Sequence, residues 1–172
     1  MLTRQLGTSD LHITRIGLGA WAIGGAGYAF GWGAQDDDES VAAIHRAVDG
    51  GINWIDTAPV YGLGRSERVV ARALKSLGSS RRPYVFTKCS LLWDDTASIS
   101  HSLKAASVRR EVDDSLARLE TDVIDLMQVH WPAMPFSGAP ATDIEEGWQE
   151  LADLKRAGKI RQIGRASCRE RV

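Results

Sequence analysis

The sequence predicts an α/β chain that forms the first part of a (β/α)8 barrel, with a short β-hairpin ahead of it. Three observations carry this. Short strands of near-continuous apolar character recur (INWIDTA, YVFTKCS, DVIDLMQVHW), amphipathic helical segments separate them, and no nucleotide-binding glycine fingerprint is present. Apolar strands alternating with helices imply crossover connections and a parallel sheet covered by helices. Such a sheet is either open and doubly wound or part of a barrel. Open sheets usually bind nucleotides at G-x-G-x-x-G, and neither that pattern nor G-x-x-x-x-G-K-[ST] is satisfied, which moves weight to the barrel.

Apolar pieces around LGTSD predict the N-terminal hairpin, and ITRIGLGAW reads as a first core strand ending at glycines. The glycine-rich loop WAIGGAGYAFGWGAQDDDES follows; long ordered loops are more often functional than decorative. Asp36–Glu39 favours a helix start by complementing the backbone dipole; Val41, Ile44 and Val48 recur at helical spacing, and Gly50-Gly51 ends the run. INWIDTA is the second strand. Ser66 is placed to cap a helix with Val69, Val70, Ala73, Leu74 and Leu77 on one face, ended by Gly78. YVFTKCS is the third strand, and Ser107 is placed to cap the helix of Val108, Val112, Leu116 and Leu119. DVIDLMQVHW is the fourth. Thr142 and Glu145 form a capping-box pattern ahead of Ile144, Trp148, Leu151 and Leu154, Gly158 closes that helix, and KIRQIG opens a fifth strand.

Composition narrows the function. The 172 residues are 44% hydrophobic and 25% charged, with 21 Lys+Arg against 22 Asp+Glu, so there is no electrostatic footprint for nucleic acid or anionic lipid. A small-molecule partner is expected. Cys89 and Cys168 lie far apart with no C-x-x-C spacing, which argues for a reducing compartment and against a disulfide framework or a zinc knuckle; Cys89 is expected to be a buried thiol. No run approaches the ~18 apolar residues of a membrane helix, and the N-terminus lacks a signal-peptide pattern; a cytoplasmic protein without a metal site is expected.

Polar residues cluster where the strands end. Asp56 closes the second strand, Lys88 the third and His130 the fourth, while Tyr61 follows the second. In a parallel barrel these positions share the C-terminal face, with neighbouring strands about 4.8 Å apart. Alternation puts Trp54 with Asp56, Phe86 with Lys88, and Gln128 with His130 on one face, pointing inward. A buried lysine needs a counter-ion, and Asp56 is the nearest candidate. An ammonium beside a tyrosine hydroxyl stabilises the tyrosinate and lowers a pKa that is ordinarily about 10, so Tyr61 can exchange a proton near neutral pH. His130 can donate a further hydrogen bond to the same substrate oxygen. Singly, each has a structural reading: a turn aspartate, a packed loop tyrosine, a bonded core histidine. Their joint occurrence at successive strand ends favours one shared site. Trp21, Trp32, Trp93 and Trp131 fall in loops on the same face and are candidates for an aromatic substrate pocket.

Taken together, GINWIDTAPVYGLGRSE, TKCS, SLARLETDVIDLMQVHWP and LKRAGKIRQIG resemble the ordered motifs of the aldo-keto reductases, especially a bacterial branch with a glycine- and tryptophan-rich first loop. The resemblance implies NADPH-dependent reduction of aldehydes or ketones on a (β/α)8 barrel, with NADH as the alternative cofactor. It implies Tyr61 as proton donor, Lys88 and Asp56 tuning and orienting it, and His130 positioning the carbonyl. Gly19, Ala20, Trp21 and Asp56 would lie at the nicotinamide and its ribose, Ala20 standing where many members carry threonine. With the four loop tryptophans, the expected substrate-binding set is Trp21, Trp32, Trp93, His130 and Trp131. Residues 1–164 are expected to form the partial barrel domain, and 165–172 (RASCRERV) a tail foreign to the family, of out-of-frame or vector origin. Arg165, Ala166 and Ser167 stand where relatives carry the serine and asparagine that hold the carboxamide. A whole barrel takes about 250 residues; relatives hold the adenosine and phosphate ends with later strands, and self-association through the open sheet edges is expected. The alternatives are a non-catalytic regulatory relative and a truncated product without independent function.

Overall fold

The computed structural model describes residues 1–132 and 143–166. The chain opens with an antiparallel hairpin, β1 (Thr3–Gln5) and β2 (His12–Thr14), in the register Arg4 opposite Ile13. The first barrel strand, β3, is only Leu18–Gly19. ITRIGLGAW is therefore not one strand. Its first residues, Ile13 and Thr14, belong to β2, and there Asn53 accepts the Thr14 N–H at 2.8 Å while the Trp54 indole donates to the Thr14 carbonyl at 2.9 Å, which separates β2 from β3.

Next come α1 (Asp37–Asp49), β4 (Trp54–Asp56), α2 (Arg65–Leu77) and β5 (Tyr84–Cys89). Asp36 caps α1, accepting the Glu39 N–H at 2.9 Å. An unforeseen hairpin, β6 (Leu91–Trp93) with β7 (Ile99–His101), precedes α3 (Ala105–Leu119). The described chain continues through β8 (Ile124–Val129), α4 (Ile144–Arg156) and β9 (Ile160–Arg165). The strands β3-β4-β5-β8-β9 pair in that order, all parallel. Sequential parallel pairing through helical crossovers is the (β/α)8 pattern rather than a doubly wound one, whose strand order reverses.

Three helix details depart from expectation. Ser66 does not cap α2: Gly64 occupies that position at φ +90°, and the Ser66 hydroxyl is buried, donating to the Ala20 carbonyl at 2.9 Å. Ser107 does not cap α3 either, since Lys104 precedes the helix and Ser107 lies inside it. On α4 the buried stripe is Gly147, Glu150, Leu151 and Leu154, leaving Trp148 exposed. Thr142 of the expected capping box lies outside the described residues, as do Ser167 and Cys168.

The main core lies between sheet and helices, built on residues such as Val70, Val85, Val112, Met127 and Leu151. A second cluster fills the inner face: Leu11, Phe86 and Leu126 with Trp54 and Tyr84, the Trp54 and Phe86 rings 5.2 Å apart. Leu11 belongs to the N-terminal hairpin, which thus closes the bottom of the sheet. Asp10 fastens it there, accepting from Arg161 Nη2 and Gln162 Nε2, both at 2.8 Å.

Candidate active site

Lys88 is the hub of the opposite, C-terminal end. It lies on β5 and is 4% exposed, and its ammonium donates to Asp56 Oδ2 at 2.6 Å, to the Thr57 carbonyl at 2.8 Å and to the Tyr61 hydroxyl at 3.3 Å. Asp56 and Lys88 come from paired strands, Phe86 standing opposite Asp56 and Gln128 opposite Lys88. His130, just beyond β8, gives its backbone N–H to the Cys89 carbonyl at 2.9 Å, and its ring meets Tyr61 edge-on at 5.8 Å. The four strand-end residues therefore share one site. Burial, reinforced by the Lys88 charge, pushes the His130 imidazole down to about 3, so at neutral pH the ring is uncharged and carries one N–H.

The loop bearing Tyr61 is built from short turns. The Tyr61 N–H donates to the Ala58 carbonyl at 3.1 Å, and the Ser66 N–H to the Tyr61 carbonyl at 3.1 Å. Ala58 and Val60 are buried against Leu91, with Ile99 and Trp131 packed around them, so the unforeseen β6-β7 hairpin supports this loop. The glycine-rich first loop leans on it from the other side. A Cβ at Gly24 would come within 2.7 Å of the Gly62 backbone nitrogen, and one at Gly62 within 2.1 Å of the Gly24 carbonyl oxygen, so the contact requires glycine on both sides.

Trp21 stacks on Tyr61 at 6.0 Å and touches Trp32 at 5.4 Å; its indole N–H is fixed by the Phe30 carbonyl at 2.9 Å. Trp131 receives the edge of Phe30 at 6.0 Å and lies 5.9 Å from the His130 ring. Trp21, Phe30 and Trp32 are exposed, forming an aromatic rim beside the Tyr61 hydroxyl. Trp93 is placed elsewhere: its ring carries the Arg118 guanidinium of α3 at 5.6 Å. Cys89 is fully buried and its thiol is pushed well up by burial, which makes it a packing residue.

Sequence reasoning missed the part played by Gln128. Its Nε2 donates to Asp56 Oδ1 at 2.8 Å, occupying the oxygen that Lys88 leaves open. It also missed a buried relay behind Lys88, in which Glu67 accepts from the Thr87 hydroxyl and from Arg118 Nε, each at 2.6 Å. A carboxylate among the apolar residues of a helix face was the available signal.

The sheet end leaves room for a flat ring. Gly19 stands opposite Asp56, and an added Cβ there would meet nothing within 4 Å. Asp56 keeps part of its carboxylate open, its side chain 31% exposed. Ala20 is fully buried; its N–H goes to the Asp56 carbonyl and its own carbonyl is taken by Ser66, so its part is to fix Gly19 and Trp21. These residues fit the reactive end of a nicotinamide cofactor. Among the described residues, no group of three or more His, Cys, Asp or Glu could hold a metal ion, and no helix is long and apolar enough to cross a membrane.

Comparison with known proteins agrees with this arrangement. Residues 15–168 match the profile of the Aldo/keto reductase family. An aldo-keto reductase of Bacillus subtilis is 43% identical over 160 residues, covering 93% of this chain and 45% of the relative. The NADH-specific methylglyoxal reductase of Escherichia coli is 41% identical over 171 residues, covering 94% and 51%. The holo form of an aldo-keto reductase from Bacillus halodurans superposes with a TM-score of 0.82 at 32% identity, covering 98% of this chain and 51% of that one. The chain thus spans about half the length of the relatives it matches. With the profile running from Arg15 nearly to the C-terminus and the same parallel fold beneath it, the chain belongs to the Aldo/keto reductase family.

Proposed function

We propose that this chain carries the proton-transfer site for reduction of an aldehyde or ketone to an alcohol, with Tyr61 as proton donor and NADPH as reductant. The observation that carries the reading is the Lys88 ammonium, held between Asp56 Oδ2 at 2.6 Å and the Tyr61 hydroxyl at 3.3 Å. Gly19, Trp21 and Asp56 would hold the reactive end of a reduced nicotinamide, which would supply the hydride for the carbonyl carbon. As charge develops on the carbonyl oxygen, Tyr61 gives it the phenolic proton and the alcohol is complete. The phenolate left behind lies beside the ammonium, which stabilises it until solvent returns a proton. His130, uncharged at neutral pH, has no imidazolium proton to give and leaves the phenol as the better acid; its N–H orients the carbonyl oxygen. The aromatic rim of Trp21, Phe30 and Trp32 favours planar or apolar carbonyl compounds.

The test is oxidation of NADPH followed at 340 nm with a panel of aldehydes and ketones, repeated with NADH because the E. coli relative is named for that cofactor. Turnover that Tyr61→Phe abolishes without loss of cofactor binding supports the proposal. Turnover that persists in Tyr61→Phe overturns the assignment. The oligomeric mass, measured on the same sample, tests a further proposal: that the outer strands β3 and β9 bring two chains together.

A further inference from the structure

Ser90, the residue after β5, takes φ +91°, a left-handed conformation that residues with a Cβ hold only when their surroundings enforce it. Each of its polar groups is engaged. Its N–H donates to Glu111 Oε2 at 2.9 Å, its hydroxyl donates to the Trp131 carbonyl at 2.9 Å and accepts the Trp131 N–H at 3.2 Å, and its carbonyl accepts the Ser102 N–H at 3.2 Å. Glu111 comes from the middle of α3, is buried, and receives the Ser107 hydroxyl at 3.5 Å. No step of the reduction uses either residue. Yet Ser90 lies two positions after Lys88, and its hydroxyl holds the residue that follows His130. The ends of β5 and β8 are thus tied at one strained peptide, and the group opposing that strain is a carboxyl on the covering helix.

We propose that Glu111 is a positioning residue: by holding Ser90 in its left-handed conformation it fixes Lys88 and His130 relative to one another. The inference rests on the reading that those two side chains serve one carbonyl. Burial lifts the Glu111 carboxyl to about 8, so at neutral pH it is the uncharged acid, for which glutamine is a near-isostere that still offers an acceptor oxygen.

The experiment compares Glu111→Gln and Glu111→Leu, each in the parent chain and in a Ser90→Gly background, where glycine accepts a positive φ unaided. Glu111→Leu is expected to lower kcat about tenfold with the cofactor KM changed less than about twofold, and Glu111→Gln to restore kcat to within about twofold of the parent. In the Ser90→Gly background the leucine effect should shrink below about threefold. Independently of turnover, amide hydrogen exchange at Ser90 and Trp131 should quicken about tenfold in Glu111→Leu and return to parent rates in Glu111→Gln. Equal losses in both backgrounds, or unchanged exchange in Glu111→Leu, overturn the proposal. A parent chain without turnover sinks the functional reading, while the exchange comparison still decides the role of Glu111. Should the leucine variant not fold, Glu111→Met, with an unbranched side chain of similar length, takes its place.

Discussion

Gln128 Nε2 donates to Asp56 Oδ1 at 2.8 Å, so both oxygens of the carboxylate facing Lys88 are occupied and it cannot turn away from the ammonium. Removing that restraint with Gln128→Leu should lower turnover about tenfold, because small displacements of Asp56 and Lys88 loosen the geometry around Tyr61. Gln128→Glu should cost more, because a second carboxylate competes for Lys88 and draws it from Tyr61. Steady-state kinetics, with thermal unfolding as a check on folding, separate the two.

The Asp56 and Lys88 side chains differ in exposure, at 31% and 5%, and their removal should differ accordingly. Asp56→Ala strands a buried ammonium and is expected to destabilise the fold by about 3–5 kcal/mol. Lys88→Met leaves a carboxylate that Gln128 still holds and water can reach, for about 1 kcal/mol. Urea unfolding of the two variants decides; a Lys88→Met variant as unstable as Asp56→Ala would contradict the asymmetry.

Two buried groups set opposite pH limits on stability. The folded His130 value of about 3 lies below its ordinary 6.5, so its contribution is complete above 6.5 and is lost as pH falls toward 3. The folded Glu111 value of about 8 lies above its ordinary 4.5, so its contribution is complete below 4.5 and is lost as pH rises to 8. Between 4.5 and 6.5 the two trends offset each other. Stability should therefore decline on both sides of that window, and Glu111→Gln should flatten the alkaline decline alone, as read by unfolding midpoints across pH.

Asp10 is held down to about 2 by its hydrogen bonds to Arg161 and Gln162. Since its ordinary value is 3.8, its contribution is present above that pH and lost as pH falls toward 2. Asp10→Asn should quicken amide exchange at Leu6 and Leu11 while leaving exchange in β5 and β8 unchanged. Uniformly faster exchange would mean that the hairpin is no separate unit.

Much of this was legible in the sequence because strand periodicity and strand-end chemistry are local signals. Asp56, Lys88 and His130 each end an apolar run, alternation put them on one face, and the C-terminal position of the loop after the second strand brought Tyr61 to them. What was not legible depended on contacts distant in the chain. Gln128 reads as one more strand residue until β4 and β5 are laid beside it. Ser66 and Ser107 look like caps, yet tertiary burial turns Ser66 toward Ala20 and Ser107 toward Glu111. The β6-β7 hairpin was hidden because LLWDDTASISH alternates weakly around a polar turn, in which Asp94 Oδ1 accepts from the Thr96 and Ser98 N–H groups. Trp148 matched the helical period of its neighbours but falls outside the stripe that α3 covers.

The plug at the bottom of the sheet also has a history in time. Asp10 meets Arg161 across 151 residues of sequence, so this fastening of the N-terminal hairpin forms only once β9 is made, long after Asn53 and Trp54 are available to hold its Thr14 backbone. Leu11 can already pack on Phe86 and Leu126 once β5 and β8 are in place, so the late ion pair locks a contact rather than creating one. On refolding, the β5-β8 centre should acquire protection first and the lock between Asp10 and β9 last, so that an early-made segment receives its final restraint from a late-made one.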